Sequence, residues 1–300
     1  MKTIIVPIDY SKHSRNALGY GLEIASLTGA RLVLFHAFYP IMPPPASLNT
    51  TDVIGALEEG KARSLEDFGR TTLAEIGKEN GRLDVYKTIP IKAGARMGGS
   101  YEMILEAIKR YEADLVIMGM QGGGAISQAL LGSNTISVMQ ECEVPILAVP
   151  ENIPFKPFRK VVFATNMRKM PPTADLEPLR DFLLPFEPAL KVLHLYRNNM
   201  QLGNFDPSAA QVQVEQKLQG LALDFTYDVR ENVAEGIQQF IQEQQADLLV
   251  LIPQRHSFLE RLLDKSITGK ITAHPQVPLL ALPSVTLKST QNISESMAEV

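Results

Sequence analysis

The sequence predicts an α/β protein built of two tandem, doubly wound domains, each a mainly parallel five-stranded sheet, packed together as a pseudo-dimer. Three observations predict it: an internal repeat, short continuous apolar runs alternating with longer amphipathic ones, and a glycine-rich segment directly after one of those runs.

The repeat sets the organisation. Ala113-Asp114-Leu115-Val116-Ile117 returns as Ala246-Asp247-Leu248-Leu249-Val250, and Val144-Pro145-Ile146-Leu147-Ala148-Val149-Pro150 returns as Val277-Pro278-Leu279-Leu280-Ala281-Leu282-Pro283, both at an offset of 133. Nearer the start, Ile4-Ile5-Val6-Pro7-Ile8-Asp9 is echoed by Val161-Val162-Phe163-Ala164-Thr165-Asn166 at an offset of 157, and the run ending in His36 by the run ending in His194 at 158. The order is the same in both halves, so this is a tandem duplication, with about 25 extra residues after the second strand of the first copy. They include the Pro-rich stretch from Tyr39 to Pro45, which suits neither helix nor inner strand. The expected domains are residues 1–150 and 157–284, joined by a segment with two prolines and followed by a polar tail, 285–300.

Taken in order, residues 3–9, 31–38, 83–91, 114–119 and 145–149 read as strands, and residues 11–28, 52–78, 100–112 and 133–141 as helices with Ser or Asp starts. Strands rich in Val, Ile and Leu without a polar alternate suit a parallel sheet covered on both faces. The second half reads the same way from about Arg159. Each half ends in a matching Val-Pro apolar strand. Such edges are a liability when exposed, and pairing them about a pseudo-two-fold axis would remove it.

Composition narrows the function. Of 300 residues 45% are hydrophobic and 21% charged, enough apolar material for a core; 29 Lys and Arg against 33 Asp and Glu leave a net charge of -4. A mildly acidic chain is a poor partner for nucleic acid or anionic membrane. The N-terminal apolar run turns polar after Ile8, too early for a leader peptide. No stretch is long enough to span a bilayer, so a soluble cytoplasmic protein is expected. One cysteine, Cys142, excludes a disulfide framework and any multi-cysteine metal site. No Ser-His-Asp or Cys-His constellation is readable.

In an open parallel sheet, ligands sit beyond the carboxyl ends of strands where the strand order reverses. Two strand ends are distinctive: Pro7-Ile8-Asp9, and Met118-Gly119 running into Met120-Gln121-Gly122-Gly123-Gly124. Gly119-x2-Gly122, nine residues, then Gly132-Ser133 can bring bare backbone N–H groups and a helix N-terminus to a phosphate. No Lys or Arg lies between Met118 and Asn134, so this is not a Walker A loop. The plainer readings are a flexible glycine loop with an ordinary helix cap, and Asp9 as a helix N-cap.

With these residues the chain resembles the universal stress proteins in their tandem two-domain form. The resemblance implies a strand order of 3-2-1-4-5 and ATP, with or without magnesium, bound between the first and fourth strand ends. It implies that Asp9 and the backbone near Ala37 face adenine and that Gly119 lies along the ribose, with Pro7, Ile8 and Met118 also in the nucleotide site. Gly122, Gly132, Ser133 and Thr135 would surround the phosphates, with Gln121 and Asn134 also in the nucleotide site. It also implies homo-oligomers among the partners. In the second half Gly119 falls on Ile252, Gly122 on Arg255, Gly132 on Lys265 and Asp9 on Asn166, which predicts loss of this nucleotide mode. Three functions remain: a nucleotide-responsive stress or signalling switch, a slow ATP hydrolase or adenylate-handling enzyme, and an oligomerising scaffold.

Overall fold

An uninterrupted apolar run needs a neighbour on each side. The first strand, β1 (Thr3–Pro7), has both: β2 (Arg31–Phe38) and β4 (Leu115–Met120) flank it in parallel. A computed structural model describes residues 1–39, 50–120, 133–171, 173–203, 205–253 and 277–283. Between these strands run α1 (Lys12–Thr28), α2 (Thr50–Glu79), α3 (Leu83–Tyr86), β3 (Ile91–Met97) and α4 (Ser100–Arg110), followed by α5 (Ser133–Glu141) and β5 (Ile146–Pro150). The strand order in this half is β3-β2-β1-β4-β5.

The second half repeats it. β6 (Lys160–Ala164), α6 (Glu177–Leu183), β7 (Ala189–Tyr196), α7 (Asn199–Gly203), α8 (Ser208–Lys217), β8 (Ala222–Val229), α9 (Val233–Gln244), β9 (Leu248–Leu251) and β10 (Leu279–Ala281) give the order β8-β7-β6-β9-β10. Each half is therefore 3-2-1-4-5 in its own strands. Of the described residues, one compact unit takes those up to Val138 together with Ile146–Phe155, and the other takes Met139–Pro145 and those from Lys156 on.

The repeat extends to register. Ile4 pairs Leu115 in β1–β4, and Val161 pairs Leu248 in β6–β9. Val6 pairs Leu34, and Phe163 pairs Val192. One clamp is duplicated atom for atom. Asp114 Oδ2 accepts the N–H groups of Lys2 (2.6 Å) and Thr3 (2.8 Å) ahead of β1. Asp247 Oδ2 does the same for Arg159 (3.0 Å) and Lys160 (2.9 Å) ahead of β6.

Local signals explain α1. Ser11 caps its first turn, accepting from the Ser14 N–H, and Gly29 ends it at φ 70, donating to the Ala25 carbonyl. The one acid on its buried face, Glu23, is 7% exposed and fully partnered: Arg82 Nη1 lies 2.6 Å and the Tyr86 hydroxyl 2.7 Å from its two oxygens. A buried carboxylate with both oxygens engaged escapes most of its desolvation cost.

Two expectations are corrected. Residues 83–91 are not the third strand. Leu83–Tyr86 form the short α3, where Tyr86 is buried against Glu23, and the strand begins only after Pro90. Pro90 has no N–H for a ladder, although its carbonyl accepts from Leu32 at 2.8 Å. The true β3, Ile-Lys-Ala-Gly-Ala-Arg-Met, is a sheet edge whose Lys and Gly weaken strand propensity, as suits an edge. Second, the crossover from β6 to β7 lacks the long helix of α1. It holds two 3-10 turns, Met167–Lys169 and Leu184–Phe186, and the seven-residue α6, because Pro171 and Pro172 interrupt the sequence where α1 runs on. The extra chain of the first half is mainly helix: 30-residue α2 stands against ten-residue α8. The Pro-rich stretch beyond Tyr39 and the polar tail lie outside the described residues.

Candidate functional site

β1 and β4 are adjacent, and β2 and β5 continue from them in opposite directions. Their carboxyl ends therefore flank the point at which the strand order reverses. At the β1 end, the Ile8 N–H donates to the Phe35 carbonyl (2.8 Å) and the Ile8 carbonyl accepts from His36 Nδ1 (2.7 Å). The Ile8 side chain is 3% exposed, so only its backbone faces the loop. Pro7, half-buried, is the last ladder residue, opposite Phe35. Asp9 follows, exposed, with Oδ1 accepting the Ser11 N–H (3.0 Å) and hydroxyl (2.5 Å). Asp9 is thus not the cap of α1. It buttresses the residue that is. Partial burial works against its ionisation, but the hydroxyls of Ser11 and Ser14 and the Ser11 N–H outweigh it and hold the carboxyl below its ordinary value. At neutral pH Asp9 is an acceptor only.

Tyr10 was not singled out by the sequence. Its φ is 64, left-handed for a side chain that rarely adopts it. Its ring meets His36 edge-on at 4.9 Å and Phe68 at 5.0 Å.

At the β4 end, Met118 and Met120 are buried and Gly119 stands between them, opposite Val149 of β5. A Cβ on Gly119 would lie 2.6 Å from His13 Cβ and 2.7 Å from the His13 carbonyl carbon and oxygen. The first turn of α1 rests directly on β4, so this glycine has a packing reason whatever it binds. His13 Nδ1 is buried without a hydrogen-bond partner, with Glu151 3.7 Å away. Asn16 ties α1 to the end of β5 through the Pro150 carbonyl at 2.5 Å.

The other sequence-predicted residues divide. Ala37, half-buried, is on β2 opposite Arg96. Ser133 and Asn134 open α5, and Thr135 is 5% exposed. Gln121, Gly122 and Gly132 lie outside the described residues. Among the described residues no three His, Cys, Asp or Glu side chains come together in a metal-binding group. No helix among them is long and apolar enough to cross a membrane. Cys142 is buried, which pushes its thiol up to about 11.

The same place in the second half is built differently. Asn166 replaces Asp9, and Met167, 2% exposed, replaces Tyr10 without the left-handed turn. His194 Nδ1 meets the Thr165 carbonyl at 3.2 Å, as His36 meets Ile8. His194 is 2% exposed, and its ring packs against Tyr196 (4.5 Å), Phe205 (5.8 Å) and Tyr227 (6.5 Å). Its Nε2 is buried without a partner. Burial above all, with the charge of Arg168, holds this imidazole below its ordinary pKa.

Comparison with known proteins agrees with this fold. The model of the universal stress protein family matches residues 1–150 and 202–283. A universal stress protein of Thermus aquaticus is 30% identical over 155 residues, covering 49% of this chain and 98% of that protein. A universal stress protein of Mycolicibacterium smegmatis is 28% identical over 147 residues, covering 49% of this chain and 47% of that one, so the match spans about half its length. The crystal structure of a universal stress protein from Archaeoglobus fulgidus superposes with a TM-score of 0.64 at 15% identity, covering 94% of this chain and 98% of that chain.

Proposed function

The chain belongs to the universal stress protein family, and on that premise we propose that its first half binds one adenine nucleotide, ATP, as a stress-response or signalling switch. One observation carries the reading: an ionised Asp9 and a side-chain-free Gly119 stand at the adjacent ends of β1 and β4. The donor set fits the group. An anionic Asp9 takes N–H and O–H donors, which adenine and ribose supply, and repels phosphate. The phosphates therefore belong on the β4 side, where the sequence offers Gly119, Gly122, Gly132 and Ser133 and no carboxylate. Gln121, Asn134 and Thr135 are assigned to the same side, and Pro7, Ile8, Ala37 and Met118 to the walls around base and ribose. ATP bound there would change the protein's shape or its choice of partner, since a ligand shifts an equilibrium only by binding one state better.

Calorimetry with ATP tests the reading. One site per chain is expected, and two equivalent sites or none would overturn it. Gly122→Val should weaken binding at least about a hundredfold by placing a side chain against phosphate, with an unchanged circular dichroism spectrum. Phosphate release with magnesium should stay at background. Turnover that disappears in Asp9→Asn would instead make the protein an enzyme.

A further inference from the structure

We propose that His36 and Tyr10 form a latch that fixes the Ile8–Asp9 peptide, His36 acting through Nδ1 as a positioning residue for the Asp9 carboxylate. This rests on reading the first half as a nucleotide site. A carbonyl only accepts, so the 2.7 Å contact to the Ile8 oxygen puts a proton on Nδ1. The Ile8 N–H is held by Phe35, so both backbone groups of the residue before Asp9 are tied to β2, one residue past the last ladder pair. On the other side of Asp9, Tyr10 holds a left-handed backbone that a bulky side chain adopts only at a cost. Its ring is braced edge-on by His36 and Phe68, with Phe38 parallel to His36 at 6.2 Å. Asp9 therefore sits between a residue tied twice and a residue held in strain. Its carboxylate has little freedom left to lose when a ligand arrives.

The second half is an internal control. Its histidine makes the same bond, to Thr165, and Thr165 donates to Leu193 at 3.0 Å as Ile8 does to Phe35. The imidazole staple is thus common to both copies of the fold. The strained aromatic turn and the carboxylate are not: Met167 and Asn166 stand there. The two features absent from the second half are absent together, in the half that also lacks the glycine motif. That coincidence separates a latch serving Asp9 from a staple serving only the sheet.

Two substitutions divide the imidazole. The Nδ2 of Asn falls where Nδ1 of histidine lies, and the Nε2 of Gln where Nε2 lies. His36→Asn should keep ATP affinity within about threefold of the parent, and His36→Gln should lose about tenfold, the worth of one hydrogen bond. Melting temperatures of both variants separate affinity from unfolding. Imidazole nitrogen shifts of the unliganded protein should place the proton of His36 on Nδ1. Parent-like binding by His36→Gln, equal weakening of the two variants, or a proton on Nε2 alone would overturn the latch. A parent chain that binds no ATP overturns the functional reading instead, and the nitrogen shifts still decide the latch.

Discussion

Gly119 and Ile252 occupy the same place in the two halves, and what lies in front of each differs. In the first half the backbone of His13, in the opening turn of α1, comes within 2.7 Å of where a Cβ would be. In the second half prolines interrupt that crossover, a 3-10 turn takes the place of the helix start, and half-buried Ile252 is accommodated. The bare backbone beside a strand end and the full-length α1 are one feature, retained or lost together. A glycine read as a ligand contact is here also a helix seat, and the two roles are compatible because both need the same missing side chain.

The largest test of that comparison exchanges the two residues. Gly119→Ile should cost about 3 kcal/mol or more, since the obstacle is backbone and cannot rotate away. Ile252→Gly should cost about 1–2 kcal/mol, from lost burial and added chain entropy. Urea unfolding with hydrogen exchange resolved by half would read both, and equal costs would break the argument. The clamps should behave alike instead. Asp114→Ala and Asp247→Ala should each lose about 1 kcal/mol, from two hydrogen bonds to the backbone at the head of a strand, with the loss confined to the half that carries the change.

A smaller effect separates the halves by pH. The pKa of His194 is lower folded than unfolded, so the unfolded chain protonates first. The stability it lends is complete above its ordinary pKa of 6.5 and is lost as the pH falls through that value towards the folded one. Unfolding midpoints of the second half should drop between pH 7.5 and 5, and His194→Asn should flatten that drop. The smallest effect belongs to Asp9. Its folded pKa lies below the ordinary 3.8, so its contribution is present above that value and lost as the pH falls further. Asp9→Asn should be slightly less stable than the parent at pH 6, and the gap should close only as the pH falls below 3.8. Asn166 already lacks the carboxylate, so the second half should show no such convergence from this position.

The duplication and most of the first half's elements were legible in the sequence, because apolar runs and cap residues act locally; the strand order, a non-local property, came only with the family resemblance. The third strand was not. Leu83 to Ile89 look more like a strand than the Ala-Gly-Ala of β3 does, and only the burial of Tyr86 on Glu23 decides for helix. Asp9 was legible as the acid at a strand end, whereas its bond to the cap residue Ser11 needed the folded turn. Tyr10 carried no signal at all, since the partners of its ring, His36 and Phe68, come from other elements and its left-handed backbone shows only in the folded turn.

The strand order has a consequence for synthesis. β1 emerges first, pairs with β2 soon after, and keeps its other edge open until β4 appears, 77 residues beyond the end of β2. At 5–20 residues per second that is roughly 4–15 seconds during which an apolar strand edge and the N–H groups of Lys2 and Thr3 lack Asp114 and β4. The nascent chain is therefore most open to chaperone capture or mispairing between the release of β2 and that of β4. Slowing synthesis of the segment between β2 and β4 should lengthen that window.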